Sequence, residues 1–124
     1  MVIKLYSIKE NSNYQIEIKN SKFIGCLFKI NCKEEVTQLL ETVKNTYKDA
    51  THYCYAYILE DSQKASDDGE PGGTAGMPIL NVLQSNNLIN VLAVVIRYFG
   101  GIKLGAGGLL RAYSEAANEA TKDL

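Results

Sequence analysis

The chain has 124 residues, with 13 Lys and Arg against 14 Asp and Glu, for a formal net charge of −1. At 46% hydrophobic and 22% charged residues it has the make-up of a globular domain, which excludes collagen, coiled-coil and disordered classes. That length fits one domain over residues 1–124, and the charge excludes bulk positive attraction to nucleic acid while leaving a local basic patch open. Cys26, Cys32 and Cys54 make an odd count with no C-x-x-C spacing, the pattern of reduced thiols that act as small buried hydrophobes. The longest apolar run, Val91 to Ile96, is far too short to span a bilayer, and the first residues lack the apolar core of a signal peptide. The expected location is the cytoplasm, with no membrane partner.

In chain order, residues 3–8 are a weak candidate for an edge strand. Residues 14–20 alternate, with Tyr14, Ile16 and Ile18 on one face, and 22–30 form a second strand. Asn20-Ser21 is the turn that makes the two a hairpin. A helix follows, with Asn31 as cap, Glu34 as its capping-box partner, and an apolar stripe of Val36, Leu39, Leu40, Val43 and Tyr47. Lys44 and Lys48 fall where they suit the helix dipole.

Residues 51–59 read as a strand with two distinct faces. His52, Cys54, Ala56 and Ile58 form a small apolar face suited to packing under helices. Tyr53, Tyr55 and Tyr57 form the other, as a core stripe or as an aromatic platform that could stack RNA bases. A short helix is predicted over 76–85, with Thr74 as cap and Pro78 in its first turn. Residues 91–98 are apolar on both faces until Arg97, the mark of a central strand. From about Gly107 a last helix carries Leu109, Ala112, Tyr113, Ala116, Ala117 and Ala120 along one side, with Arg111 and Glu115 paired at i, i+4. The order β-β-α-β-α-β-α predicts an α+β two-layer sandwich, a sheet backed by helices on one face.

Nine of the ten glycines lie between Gly69 and Gly108, in two loops. In the first, Asp67, Asp68 and Glu70 precede Gly72, Gly73 and Thr74, and residues 60–70 carry five acids against Lys64. Three carboxylates so close can converge on a cation or a basic partner, or bond their own backbone in a long turn. The spacing matches neither an EF-hand nor a two-metal site, and no metal or cofactor is expected. In the second, Arg97, Lys103 and Arg111 surround Gly105, Gly107 and Gly108 with no acid in 91–113. A glycine loop opening a helix suits a phosphate, a carboxylate or an acidic peptide, or it packs the helix tightly on its strand. It is neither a Walker loop nor a dinucleotide fingerprint. If the strands 51–59 and 91–98 are parallel neighbours, both loops lie at one sheet edge.

The runs ATHYCYAY (50–57), SDDGEPGGTAGMPIL (66–80) and RYFGGIKLGAGGLLRAY (97–113), with SKFIG at 21–25, resemble the IMPACT/YigZ family in order and spacing over roughly residues 14–121. The resemblance implies the fold of elongation factor G domain IV and of the second domain of ribosomal protein S-five, with a left-handed βαβ crossover. It also implies a role in regulating translation, in the initiation and amino-acid-starvation response, through a protein of the translation machinery or its regulators, or through RNA. Eukaryotic members carry an additional amino-terminal domain and bacterial members a ferredoxin-like one after this domain; the chain matches the shared domain alone. The expected function is therefore a binding module that uses the acidic and the glycine-rich basic loops. The residues expected at its surface are Asp67, Asp68, Glu70, Gly72, Gly73, Thr74, Arg97, Lys103, Gly105, Gly107, Gly108 and Arg111. The alternative is an enzyme acting on a phosphorylated or peptide substrate, with His52 and Asp68 as its acid and base and an anion site at 100–108.

Overall fold

In the computed structural model, which describes residues 4–122, the first described segment is joined to the rest by one parallel bridge, Tyr6 to Leu88, and by Ile8, which is buried in the core. The edge strand expected over 3–8 is reduced to that bridge, and Ile3 lies outside the described residues. The hairpin forms from β1 (Ser12–Ile18) and β2 (Ser21–Lys29). Its turn is one residue earlier than expected. Lys19 and Asn20 take φ of 47° and 67°, which frees Ser21 to start β2 with its side chain buried.

Helix α1 (Lys33–Thr46) carries the expected stripe inward, with Val36 and Val43 buried. Its start differs from the prediction by one residue. Cys32 is the cap position, and Glu35 rather than Glu34 reaches back, accepting the Asn31 N–H at 3.1 Å. Strand β3 (His52–Ile58) is followed by a short strand that the polar run QKAS gave no sign of, β4 (Gln63–Ser66), antiparallel to β3. Then come α2 (Gly76–Ser85), β5 (Val91–Tyr98) and α3 (Gly105–Thr121).

The five strands form one sheet in the order β1-β2-β5-β3-β4, with every neighbouring pair antiparallel. Strand β5 is central, as its two-sided apolar run requires: Val91 to Ile96 are all at most 1% exposed. Helices α2 and α3 cover one face over Phe23, Leu27, Cys54, Ala56, Ala93 and Val95. This is the expected sheet-and-helix sandwich. Helix α1 departs from the expectation of a single helical face. It lies over the opposite side, against Ile24, Cys26, Leu92, Val94 and Ile96. A strand apolar on both faces needs cover on both, and α1 supplies the second.

The tyrosine face of β3 is the one α1 covers. Tyr57 is buried, Tyr53 and Tyr55 pack against the same cluster, and the Tyr53 hydroxyl donates to the Tyr47 carbonyl at 2.6 Å. The stripe is core packing rather than an open stacking platform. On the other side α3 approaches β2 closely. A Cβ on Gly25 would stand 2.4 Å from the Ala116 carbonyl oxygen, so glycine there and alanine on the helix set the spacing. Phe23 and Tyr113 meet edge to face, with ring centroids 5.2 Å apart.

Candidate functional site

Strands β3 and β5 are antiparallel, not parallel, with His52 opposite Arg97. The two glycine loops still share an edge of the sheet, because β4 carries the chain back along β3 and delivers residues 67–70 beside His52. The expectation of a shared edge therefore holds for a reason absent from its premise.

At this edge the acidic residues turn inward. The Asp67 carboxylate accepts the N–H groups of Gly73 (3.0 Å), Ala75 (3.1 Å) and Gly76 (2.8 Å), and so caps α2 from across the loop. Thr74, the expected cap, instead donates its hydroxyl to the Pro71 carbonyl at 2.6 Å. Partial burial works to raise the Asp67 pKa, but the three backbone donors outweigh it and hold the carboxyl below its ordinary value. Asp68 sits at φ 42° and accepts the Tyr53 N–H at 2.7 Å. Its own carbonyl meets the His52 Nδ1 at 2.7 Å, and a carbonyl can only accept, so Nδ1 carries the proton.

Glu70 is buried, at 8% exposure, and is the centre of a polar cluster on the face of the sheet that α2 and α3 cover. Arg97, at 5% exposure, donates to both carboxylate oxygens from Nη1, at 3.1 and 2.8 Å. The Tyr113 hydroxyl from α3 donates to Oε2, and the His52 Nε2 stands 3.4 Å from Oε1. Arg97 reaches Ser21 at 3.4 Å through its other terminal nitrogen, and its guanidinium lies between the rings of Phe23 and Phe99, at 5.4 and 5.3 Å. Burial, together with Cys54 and Glu70 beside it, pushes the Tyr113 hydroxyl above its ordinary pKa, which keeps it a donor. Burial likewise pushes the Cys54 thiol up to about 12, and it donates to the Asp67 carbonyl at 3.1 Å. The cluster thus ties β2, β3, β5, α3 and the acidic loop together.

Sequence reasoning had placed His52, Asp67, Asp68, Glu70 and Arg97 among its candidates, and the structure brings these five together. It missed Ser21 and Tyr113. Tyr113 read as one more residue of a core stripe, and nothing in its helix signals a carboxylate 43 positions earlier. The other expected residues lie apart. Gly72 and Gly73 have open space at their Cβ positions. Lys103, Gly105, Gly107 and Arg111 are exposed and Gly108 is half-buried. Among the described residues Arg111 makes no ion pair, so the expected contact with Glu115 is absent. Its guanidinium instead folds back along α3, with Nη1 3.5 Å from where a Gly107 Cβ would be.

Cavities of about 610, 190 and 410 Å³ lie elsewhere, and none is lined by His52, Asp68, Glu70, Arg97 or the 99–111 segment. Among the described residues no group of three His, Cys, Asp or Glu side chains could hold a metal ion, and no helix is long and apolar enough to cross a membrane.

Fold and site define a class: an antiparallel α+β domain in which two glycine-rich loops share one sheet edge, the acidic one sealed onto a buried arginine and the basic one left at the surface. The family model described as the Impact N-terminal domain matches residues 19–121. The chain is 44% identical over 122 residues to IMPACT family member YvyE of Bacillus subtilis, covering 96% of this chain and 56% of that protein. It is 43% identical over 113 residues to IMPACT family member YigZ of Escherichia coli, covering 87% and 55%. It is 36% identical over 93 residues to human Protein IMPACT, covering 70% and 29%. A crystal structure described as a hypothetical protein superposes with a TM-score of 0.89 at 40% identity, over 94% of this chain and 59% of that one. A structure of the two-domain translational regulator Yih1 shares the fold, with a TM-score of 0.57 at 22% identity over 91% and 46%. The chain belongs to the IMPACT family. It spans about half the length of the bacterial relatives it matches.

Proposed function

We propose that the chain is a cytoplasmic binding module in the regulation of translation, and that it engages a protein of the translation machinery or its regulators through the exposed loop between β5 and α3. The observation that carries the choice of surface is the internal use of the acidic loop. Asp67 caps α2, Asp68 holds the backbone of β3, and Glu70 is taken up by Arg97 and Tyr113. What remains for a partner at this edge is Lys103, Arg111 and the glycines between them. The link to translation is supported by family membership and by Yih1, described as a translational regulator, which shares the fold. The enzyme reading draws less support from the site. A general base needs a ring nitrogen aimed at substrate, whereas His52 is bonded to the Asp68 carbonyl through one nitrogen and faces Glu70 with the other.

The test is co-sedimentation of the purified chain with a reconstituted translation system, component by component, for the wild type and for Lys103→Glu/Arg111→Glu. Retention by one component, lost at least tenfold in the double variant at unchanged thermal midpoint, is the expected result. Retention by none overturns the reading. A salt titration separates partner types, because phosphate contacts weaken steeply with salt and a protein interface far less so.

A further inference from the structure

Seven large hydrophobic side chains are exposed among the described residues, and three of them, Phe99, Ile102 and Leu110, fall in the twelve positions that join β5 to the second turn of α3. A fourth, Met77, opens α2 at the same edge of the sheet, where both helices begin. Each is 45–48% exposed. Scattered exposed apolar residues are ordinary; such a concentration in one segment marks a contact surface.

The charges interleaved with them have one sign. Lys103 follows Ile102 and Arg111 follows Leu110, both exposed, and neither makes an ion pair among the described residues. No acidic residue lies in the first turn of α3 to offset them. Arg111 has its i+4 neighbour Glu115 within the reach of a helical pair, yet it extends the other way, over Gly107. One ring face of Phe99 is held by Arg97, which the Glu70 pair fixes in turn, so this aromatic is anchored rather than free to swing.

From this pattern we infer that the surface formed by Phe99, Ile102, Leu110 and Met77 with Lys103 and Arg111 is a docking site for an acidic, amphipathic polypeptide segment. Its apolar side chains seat on the hydrophobic residues and its carboxylates face the two cations. Only one of the four apolar side chains is aromatic, and Arg97 lies against its ring, which favours this occupant over RNA, whose bases would seek aromatic faces; a single-signed pair of cations selects an acidic segment over a basic one. The inference rests on the reading of this edge as the partner surface and specifies the chemistry of what binds there.

The experiment uses three twelve-residue peptides with the same Leu and Phe anchors, carrying Glu, Gln or Lys between them, and a twelve-nucleotide single-stranded RNA. Binding to the full chain is followed through backbone amide NMR shifts. The expected result is saturable shifts confined to residues 99–111 and the start of α2 with the Glu peptide, at least tenfold tighter than with the Gln peptide. Ile102→Asp/Leu110→Asp should weaken the Glu peptide at least tenfold, and Lys103→Glu/Arg111→Glu likewise, at unchanged thermal midpoint. Equal affinity for Glu and Gln peptides, shifts elsewhere, or RNA binding at the same amides more tightly than the Glu peptide would each overturn it. If the peptide fails while co-sedimentation persists, the docking chemistry is wrong and the translational reading stands. If the peptide binds and no component of the translation system does, the reverse holds.

Discussion

Removing Glu70 should strip the site of the only carboxylate that pairs with Arg97 among the described residues while leaving the arginine buried. Both are nearly out of solvent, at 8% and 5% exposure, so the charge left behind cannot be rehydrated without opening the sheet edge. Breaking one side of such a pair costs about 3–5 kcal/mol, a large part of the roughly 5–15 kcal/mol that holds a domain of this size together. With an unfolding entropy of about 2.1 cal/mol/K per residue, a chain of this length changes by about 0.26 kcal/mol/K, so Glu70→Ala should lower Tm by about 12–19 °C. Urea unfolding followed by circular dichroism measures the cost directly, as a fall in midpoint at constant slope. Glu70→Gln, which keeps the shape and an acceptor but not the charge, should lose less. The decisive comparison is Glu70→Leu alone against Glu70→Leu/Arg97→Met. Removing the second charge relieves its desolvation, and the double variant should regain about 2 kcal/mol or more. The recovery stays incomplete, because the Tyr113 hydroxyl is still deprived of its acceptor. A cost below about 1 kcal/mol for Glu70→Ala, or no recovery in the double variant, would refute the view that the pair pins the loop.

Two further outcomes are expected. Asp67 has a folded-state pKa below its ordinary 3.8, so its stabilisation is present above that value and disappears as pH falls through the lower, folded one. The stability difference between wild type and Asp67→Asn should therefore be constant from neutral pH down to about 5 and should shrink in strong acid, read from urea midpoints across pH. Gly25→Ala places a methyl 2.4 Å from a backbone oxygen of α3, which cannot rotate away, so a loss of about 2–3 kcal/mol or more is expected by the same assay. Gly73→Ala makes a poor control despite its open surroundings, because φ there is +80°.

Legibility in the sequence followed the range of the interactions. Helix α2 and strand β5 occupy the residues expected of them, because Pro78, the flanking glycines and Arg97 mark their limits locally. Strand β4 was illegible: three polar residues and an alanine become a strand only by pairing with β3, and their identity encodes none of that. The same gap explains the cap of α2. Thr74 is the nearest residue of the right type, but Asp67 wins because β4 aims the loop back at the helix start. The ion pair joins the acidic loop to β5, between Glu70 and Arg97. That Glu70 would be the buried member, and Asp67 and Asp68 backbone ligands, depends on which way each points in a turn with two successive positive φ values. The shared edge was inferred from parallel strands and exists through an extra antiparallel one, so a correct placement came from an incorrect topology.

The place of β5 in the sheet bears on how the molecule is made. It is the last strand in the chain and the middle strand in space, between β2 and β3. As synthesis proceeds, the β1–β2 and β3–β4 hairpins can form early, but each then shows an unpaired edge to the other and has no common sheet to join. Only when residues 91–98 emerge does one strand close both gaps at once, bringing Arg97 to Glu70 in the same event. The domain is thus built to assemble as one unit, and a nascent chain halted before Val91 has two hairpins and lacks the strand that joins them.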